Sequence, residues 1–187
     1  MGAAIIKILE FLPWGKLIEL IATIFSNDEK VKTAKMKISN EKTKPEERKS
    51  WFNIAMKEIG VTEKPGRRNE KRVLEYHAST TLRATSDSVP WCSSFVNWVM
   101  IQAGYPGTNN ARARSWLEWG VEIDKPIPGC VVVFWRKSID SKSGHVAFYV
   151  RESSNDGYIK VLGGNQSDQV KISTYPKEKV LGYFLPE

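Results

Sequence analysis

Apolar residues are spaced differently in the two halves of this chain. Up to about residue 120 they recur every three or four positions, as in amphipathic helices, and this spacing predicts helices at 51–59, 68–77, 91–103 and 111–119. Beyond that point, short runs rich in Val, Ile, Tyr and Phe predict strands at 131–135, 146–151, 158–162, 170–172 and 181–185. Helices followed by an antiparallel sheet predict an α+β fold.

The first 26 residues form a separate pattern. Ile5, Ile8, Leu9 and Leu12 share one helical face, Leu17, Ile18, Ile21 and Phe25 share a second, and Pro13 interrupts them. Charged residues recur too often for a membrane span. Three roles stay open for this segment: packing on the domain or on a second copy, contact with a membrane surface, or recognition by a secretion machine or an immunity protein.

A lysine-rich stretch separates this segment from the rest of the chain. Its basic residues are Lys30, Lys32, Lys35, Lys37, Lys42, Lys44, Arg48 and Lys49. Such a run is typical of a solvated linker. The sequence therefore predicts an amphipathic helical extension with a basic linker at residues 1–48 and one enzyme-sized domain at residues 49–187.

Composition and charge narrow the function classes. The chain has 187 residues, of which 41% are hydrophobic, enough for one sizeable core but not for two ordinary domains. Its net charge of +7 suits an anionic polymer, a membrane surface or nucleic acid. A second basic group, Arg67, Arg68, Lys71 and Arg72, falls within the domain. No motif that reads DNA or RNA accompanies it, so we expect no nucleic-acid partner.

Cys92 is the candidate nucleophile. Pro90 disfavours helical geometry in the residue before it, and apolar residues then repeat at helical spacing, so Cys92 falls in the first turn of a helix. Unpaired N–H groups at a helix start stabilise an anion, and we expect them to lower the pKa of this thiol.

His145 and Asn165 are the candidate partners of Cys92. His145 opens the β-prone run Val146–Val150, and Gly144 before it permits a close approach. A histidine on such a strand can act as the base of a thiol. An amide oxygen can then orient the imidazole, as in Cys-His-Asn enzymes, and Asn165 is the candidate.

The other cysteine and histidine are predicted to be non-catalytic. Cys130 precedes a continuous β-prone run and is expected to pack in the core, and His77 is expected to be structural or merely exposed. The cysteines and histidines follow no zinc-ligand spacing, and a disulfide would consume the proposed thiolate. We therefore expect no metal, no other cofactor and no disulfide.

The motifs from about residue 51 onward resemble the NlpC/P60 and CHAP superfamily of papain-like cysteine hydrolases of peptidoglycan. The resemblance is carried by 69–77, Pro90–Trp98, Gly107–Trp116, Gly144–Tyr149 and Leu162–Asp168. Two positions differ from many relatives, which have aspartate in place of Cys130 and, in CHAP enzymes, glutamate in place of Gly163.

The resemblance implies a papain-like α+β domain that cleaves peptide or amide bonds of peptidoglycan stem peptides, with an endopeptidase favoured over an N-acetylmuramoyl-L-alanine amidase. Tyr76 matches a tyrosine that contributes to the oxyanion site in relatives, and Trp91 and Gln166 are candidates for substrate binding. Two alternatives stay open: an inactive wall- or partner-binding module, and a papain-like protein deamidase or transferase.

The start of the chain bears on localisation. Residues 1–26 contain no basic region followed by an apolar core and a cleavage site, so no secretory signal is recognised. We therefore expect synthesis in the cytoplasm and action in the periplasm or cell wall of a target bacterium after delivery or lysis. An antibacterial secreted effector and a phage endolysin both fit, and the N-terminal pattern favours the effector.

Overall fold

The computed structural model describes residues 45–66 and 68–187. The predicted amphipathic segment, most of the basic linker and Arg67 lie outside these residues. Three α-helices come first: α1 (Pro45–Lys57), α2 (Lys71–Ala78) and α3 (Cys92–Gln102). A 3₁₀ helix, Ala113–Glu118, leads into the strands, and a short one, Lys177–Lys179, precedes the last strand.

The strands form one antiparallel sheet. They are β1 (Val121–Glu122), β2 (Val131–Trp135), β3 (Gly144–Glu152), β4 (Tyr158–Gly163), β5 (Lys171–Pro176) and β6 (Val180–Leu185), in the spatial order β1-β6-β2-β3-β4-β5. The α+β prediction is confirmed. The short β1 was not predicted, because two residues are too few to show an alternating pattern.

Element boundaries differ from the predicted ones for local reasons. Helix α1 begins at Pro45 rather than at residue 51, because proline is favourable in the first turn of a helix. Helix α2 begins at Lys71, where the carboxylate of Glu70 accepts a hydrogen bond from the backbone N–H of Arg72. Strand β3 begins at Gly144, since pairing with Trp135 extends the ladder beyond the apolar run.

The sheet coils strongly. Phe134 lies on β2 and Tyr175 on β5, and two strands separate β2 from β5. In a flat sheet three strand spacings would hold them about 14 Å apart. Their ring centroids are 4.8 Å apart, so β5 comes back over β2 and β3.

Helix α3 lies against the sheet and is buried along most of its length. Phe95 packs edge-to-face on Phe148 of β3, with centroids 6.2 Å apart. On its other side Phe95 meets Tyr76 of α2 at 5.4 Å. Gly164 fits closely beneath this helix, since a Cβ there would come within 2.7 Å of the Cβ of Phe95. These contacts hold the start of α3 against β3 and the loop after β4.

Candidate active site

Cys92 is the first residue of α3, and its side chain is 8% exposed. The next residue fixes this turn: Ser93 Oγ donates to the carbonyl of Asn110 (2.6 Å) and accepts from Trp116 Nε1 (2.9 Å). Asn97, one turn later, accepts from the backbone N–H of Asn109 through Oδ1 (2.8 Å). The 107–116 motif therefore holds the helix start that carries the sulfur.

The expected fall in the pKa of Cys92 is not found. Burial raises the pKa of this thiol, and this effect exceeds those of the groups that lower it. The opposing groups are the backbone N–H groups of Val146, Ser93 and Cys92 and the charge of Arg136. The backbone N–H groups at the helix start lower the pKa, as predicted, but desolvation raises it by more. The sulfur of the resting protein is therefore a thiol.

His145 lies in β3, directly opposite Phe134 of β2, and is fully buried. Burial and, to a lesser extent, the charge of Arg136 lower the pKa of its imidazole to about 3. The resting ring is therefore neutral. Both ring nitrogens are buried and have no hydrogen-bond partner among the described residues.

The structure brings Cys92 and His145 to neighbouring positions on α3 and β3. The sulfur lies next to the backbone N–H of Val146, the residue after His145. Since neither ring nitrogen has a partner, the sulfur and the imidazole are not hydrogen bonded in this state. Catalytic hydrogen bonds are often long or poorly aligned before substrate binds.

Gln166 is the side chain that contacts His145. It is 3% exposed, and its Nε2 donates to the carbonyls of Gly163 (3.1 Å) and Lys171. Its Oε1 is buried and has no partner among the described residues, yet the Gln166 side chain raises the pKa of His145. The amide is thus fixed by its nitrogen and leaves its oxygen as an acceptor for the ring.

Asn165, the predicted orienting residue, is half-buried and lies in the left-handed region, with φ 53°. Its side chain makes no hydrogen bond within the part of the chain that the structure describes. Asparagine adopts this backbone conformation more readily than most residues, so a turn role accounts for its position. Gln166, expected to bind substrate, is instead the neighbour of the imidazole.

Two further candidate residues belong to the core. Tyr76 is fully buried, and its hydroxyl donates to Glu58 Oε2 at 2.6 Å, so its proton is already used. Trp91 is fully buried, and its indole N–H donates to Glu63 Oε1 at 2.8 Å. A fully buried indole offers no exposed surface in this structure, and the substrate contact of Trp91 stays a prediction.

His77 and Cys130 are placed as expected. His77 is fully buried on α2, where its Nδ1 lies 3.3 Å from Ser94 Oγ and burial lowers its pKa. Cys130 is fully buried and free, and burial raises the pKa of its thiol to about 12. Both residues contribute to packing.

Two residues beside the candidate pair Cys92 and His145 were not predicted from the sequence. Tyr175 of β5 stacks on His145, with centroids 5.0 Å apart, and Arg136 directly follows β2. The Arg136 guanidinium lies close enough to the Tyr175 hydroxyl to oppose the rise in its pKa that burial causes. No local pattern distinguishes either residue, because only the coiling of the sheet brings Tyr175 near His145.

Neither a metal centre nor a membrane-spanning helix is found among the described residues. Within residues 45–66 and 68–187, no group of three His, Cys, Asp or Glu side chains is arranged to hold a metal ion. In the same part of the chain, no helix combines the length and apolar character that crossing a bilayer requires.

Comparison with known families bears directly on this site. The family model of the CHAP domain matches residues 84–165, a span that includes Cys92, His145 and Asn165 but ends just before Gln166. No curated protein matches the chain. CHAP domains are typically hydrolytic enzymes of the amidase or peptidase kind that act on peptidoglycan. Together with the α+β fold, the match agrees with the resemblance seen in the sequence motifs: residues 84–165 match the CHAP domain, which is consistent with the NlpC/P60–CHAP superfamily.

Proposed function

We propose that this protein is a cysteine hydrolase that cleaves amide bonds in peptidoglycan stem peptides. The observation that carries the proposal is the position of Cys92 at the start of α3, beside the strand that bears His145 and within the CHAP match. No other thiol competes for the role among the described residues, because Cys130 is fully buried behind β2.

The proposed reaction starts from neutral groups. As Cys92 attacks the amide carbonyl, the thiol proton passes to His145 and a carbon–sulfur bond forms. The imidazolium then gives that proton to the leaving amine as the carbon–nitrogen bond breaks. A water molecule, deprotonated by neutral His145, hydrolyses the thioester and frees the sulfur. The backbone N–H of Cys92, in the first turn of α3, donates to the oxyanion.

In this proposal, Gln166 is the residue that orients the imidazole of His145. Its amide nitrogen is tied to two backbone carbonyls, and its oxygen is the acceptor next to the ring. Asn165 was the expected group, but its side chain makes no hydrogen bond among the described residues. An acceptor fixed in this way favours one tautomer and stabilises the imidazolium that forms during the reaction.

Digestion of purified sacculi by the wild-type protein and two cysteine variants tests the proposal. Cys92→Ala should lower the rate by about 1,000-fold or more, as loss of a nucleophile does in other hydrolases. Cys130→Ala is the matched control and should retain activity in the folded fraction. Equal digestion by wild type and Cys92→Ala would rule out the thiol mechanism.

Mass spectrometry of the same digests identifies the bond. We favour an endopeptidase, which would leave part of each stem on the glycan. Release of intact stems and bare glycan chains would instead identify an N-acetylmuramoyl-L-alanine amidase.

We propose further that the enzyme acts on the wall of a target bacterium after delivery or lysis, as an antibacterial effector or an endolysin, and that residues 1–48 serve transport or localisation. A protein that begins at Lys42, just ahead of α1, should digest isolated sacculi like the full chain but kill delivered target cells less well. Insolubility of this shorter protein would instead assign the N-terminal segment to the enzyme fold.

A further inference from the structure

Arg136 stands where β2 ends, next to the catalytic histidine. Its backbone N–H donates to the carbonyl of Ser143 (3.2 Å), which continues the β2–β3 pairing by one position. Phe134, two residues earlier, is the direct partner of His145. Residues two apart on a strand share a face, so Arg136 projects from the same side of the sheet as Phe134 and His145.

The surroundings of Arg136 are ordered. Tyr175 lies parallel to the His145 ring and 4.8 Å from the Phe134 ring, and the Arg136 guanidinium is near enough to its hydroxyl to oppose the rise in its pKa that burial causes. The loop after Arg136 is held at its far side by Arg114, whose Nη2 donates to the carbonyl of Ile139 (2.8 Å) and whose Nε donates to that of Ser143 (3.3 Å).

Arg136 is an exposed residue, and none of the described carboxylates forms an ion pair with its guanidinium. It is also close enough to the reacting groups for its charge to lower the pKa of both Cys92 and His145. An interaction with the single hydroxyl of Tyr175 can engage only part of its five N–H donors. A planar fork with free donors is suited to bidentate binding of a carboxylate.

We propose that Arg136 is a specificity-determining residue that binds a free carboxylate of the substrate next to the scissile amide. The inference rests on the proposed function, since stem peptides supply such carboxylates. The substrates of this site are then peptides with an acidic group beside the bond that is cut, and their amidated forms are poor substrates.

Two synthetic stem peptides that differ only in this group test the proposal. One carries a free carboxylate on the residue next to the scissile amide, and the other a primary carboxamide. The wild-type protein should prefer the acid by about 10- to 100-fold in kcat/KM, the range expected for hydrogen bonds to a charged group. Arg136→Gln should cleave both peptides at the slow rate of the amide, and Arg136→Lys should recover part of the preference.

Lys142→Gln is the matched control. Lys142 is an exposed cation on the same loop, so this variant removes one positive charge and should keep the preference for the acid. Equal loss of preference in Lys142→Gln and Arg136→Gln would assign the effect to general charge attraction and overturn the proposal. A uniform loss of rate on both peptides in Arg136→Gln would also overturn it, because that result identifies a role in activating the thiol alone.

Binding separates failure of this inference from failure of the proposed function. Calorimetry with Cys92→Ala, which cannot turn over, should show tighter binding of the acid than of the amide, and the double variant with Arg136→Gln should bind both alike. If the wild-type protein cleaves neither peptide nor sacculi, the hydrolase assignment fails. Cleavage of both peptides with equal kcat/KM, or equal binding of both to Cys92→Ala, rejects the carboxylate site.

Discussion

The imidazole of His145 lies parallel to the phenol ring of Tyr175, with ring centroids 5.0 Å apart and 5° between their planes. Phe134 faces the same tyrosine at 4.8 Å and lies 6.3 Å from His145, so Tyr175 packs against both rings. A flat ring against the imidazole restricts the rotation of the imidazole. This restriction is needed if His145, the proposed base, is to reach both the sulfur and the leaving amine.

Substitution of Tyr175 tests this restriction. Tyr175→Leu removes the flat contact, and kcat on a stem peptide should fall by about 10-fold or more, because small misplacements of catalytic groups are costly. Tyr175→Phe keeps the ring and should retain most of kcat. Similar kcat values for the Leu and Phe variants would show that stacking does not position His145.

Gln166 and Asn165 are distinguished by a pair of variants. Gln166→Ala removes the acceptor beside His145, so kcat should fall by about 10- to 100-fold with little change in KM. Asn165→Gly is the appropriate comparison, because glycine tolerates the φ of 53° while losing the whole side chain. It should retain most of the activity. The reverse order of the two effects would restore Asn165 as the orienting group.

The two thiols should differ in reactivity toward iodoacetamide. Labelling requires the thiolate, and burial raises the pKa of both cysteines. Labelling should therefore be slow at neutral pH and become faster as the pH rises above the ordinary pKa of a thiol. Cys92 should react first, because it is 8% exposed while Cys130 is fully buried with a pKa of about 12.

Mass spectrometry of peptides labelled across a pH series measures both rates. Full labelling of Cys92 below pH 8 would show that the thiolate forms in the resting enzyme. Equal rates for the two cysteines would contradict the assignment of Cys92 as the accessible nucleophile.

Tyr76→Phe separates a structural from a catalytic role. The substitution leaves the Glu58 carboxylate without the hydroxyl that donates to it, although Arg72 Nε stays 3.2 Å away. Loss of a donor to a buried carboxylate should lower the free energy of unfolding by about 1–3 kcal/mol. Denaturant unfolding measures this change. The kcat of the folded protein should stay near the wild-type value, and a large fall in kcat would return Tyr76 to the oxyanion site.

The sequence by itself determined the parts of this protein that depend on local spacing. Helical periodicity after Pro90 placed Cys92 in the first turn of α3, and the β-prone run after Gly144 placed His145 on a strand. The order of helices and strands gave the α+β class. The motifs around these residues carried the resemblance that agrees with the CHAP match at residues 84–165, because they combine residue type and spacing within short stretches.

Tertiary structure decided the chemical environment of those residues. The sequence shows the helix start at Cys92 but not how completely the sulfur is desolvated. The predicted fall in the pKa of this thiol was therefore wrong, because burial raises it. Gln166 comes near His145 from the loop between β4 and β5, and Arg136 comes near it from the end of β2. Tyr175 stacks on His145 because the sheet coils. Desolvation and proximity depend on segments distant in sequence, and local hydrophobic spacing carries no information about which of these segments meet.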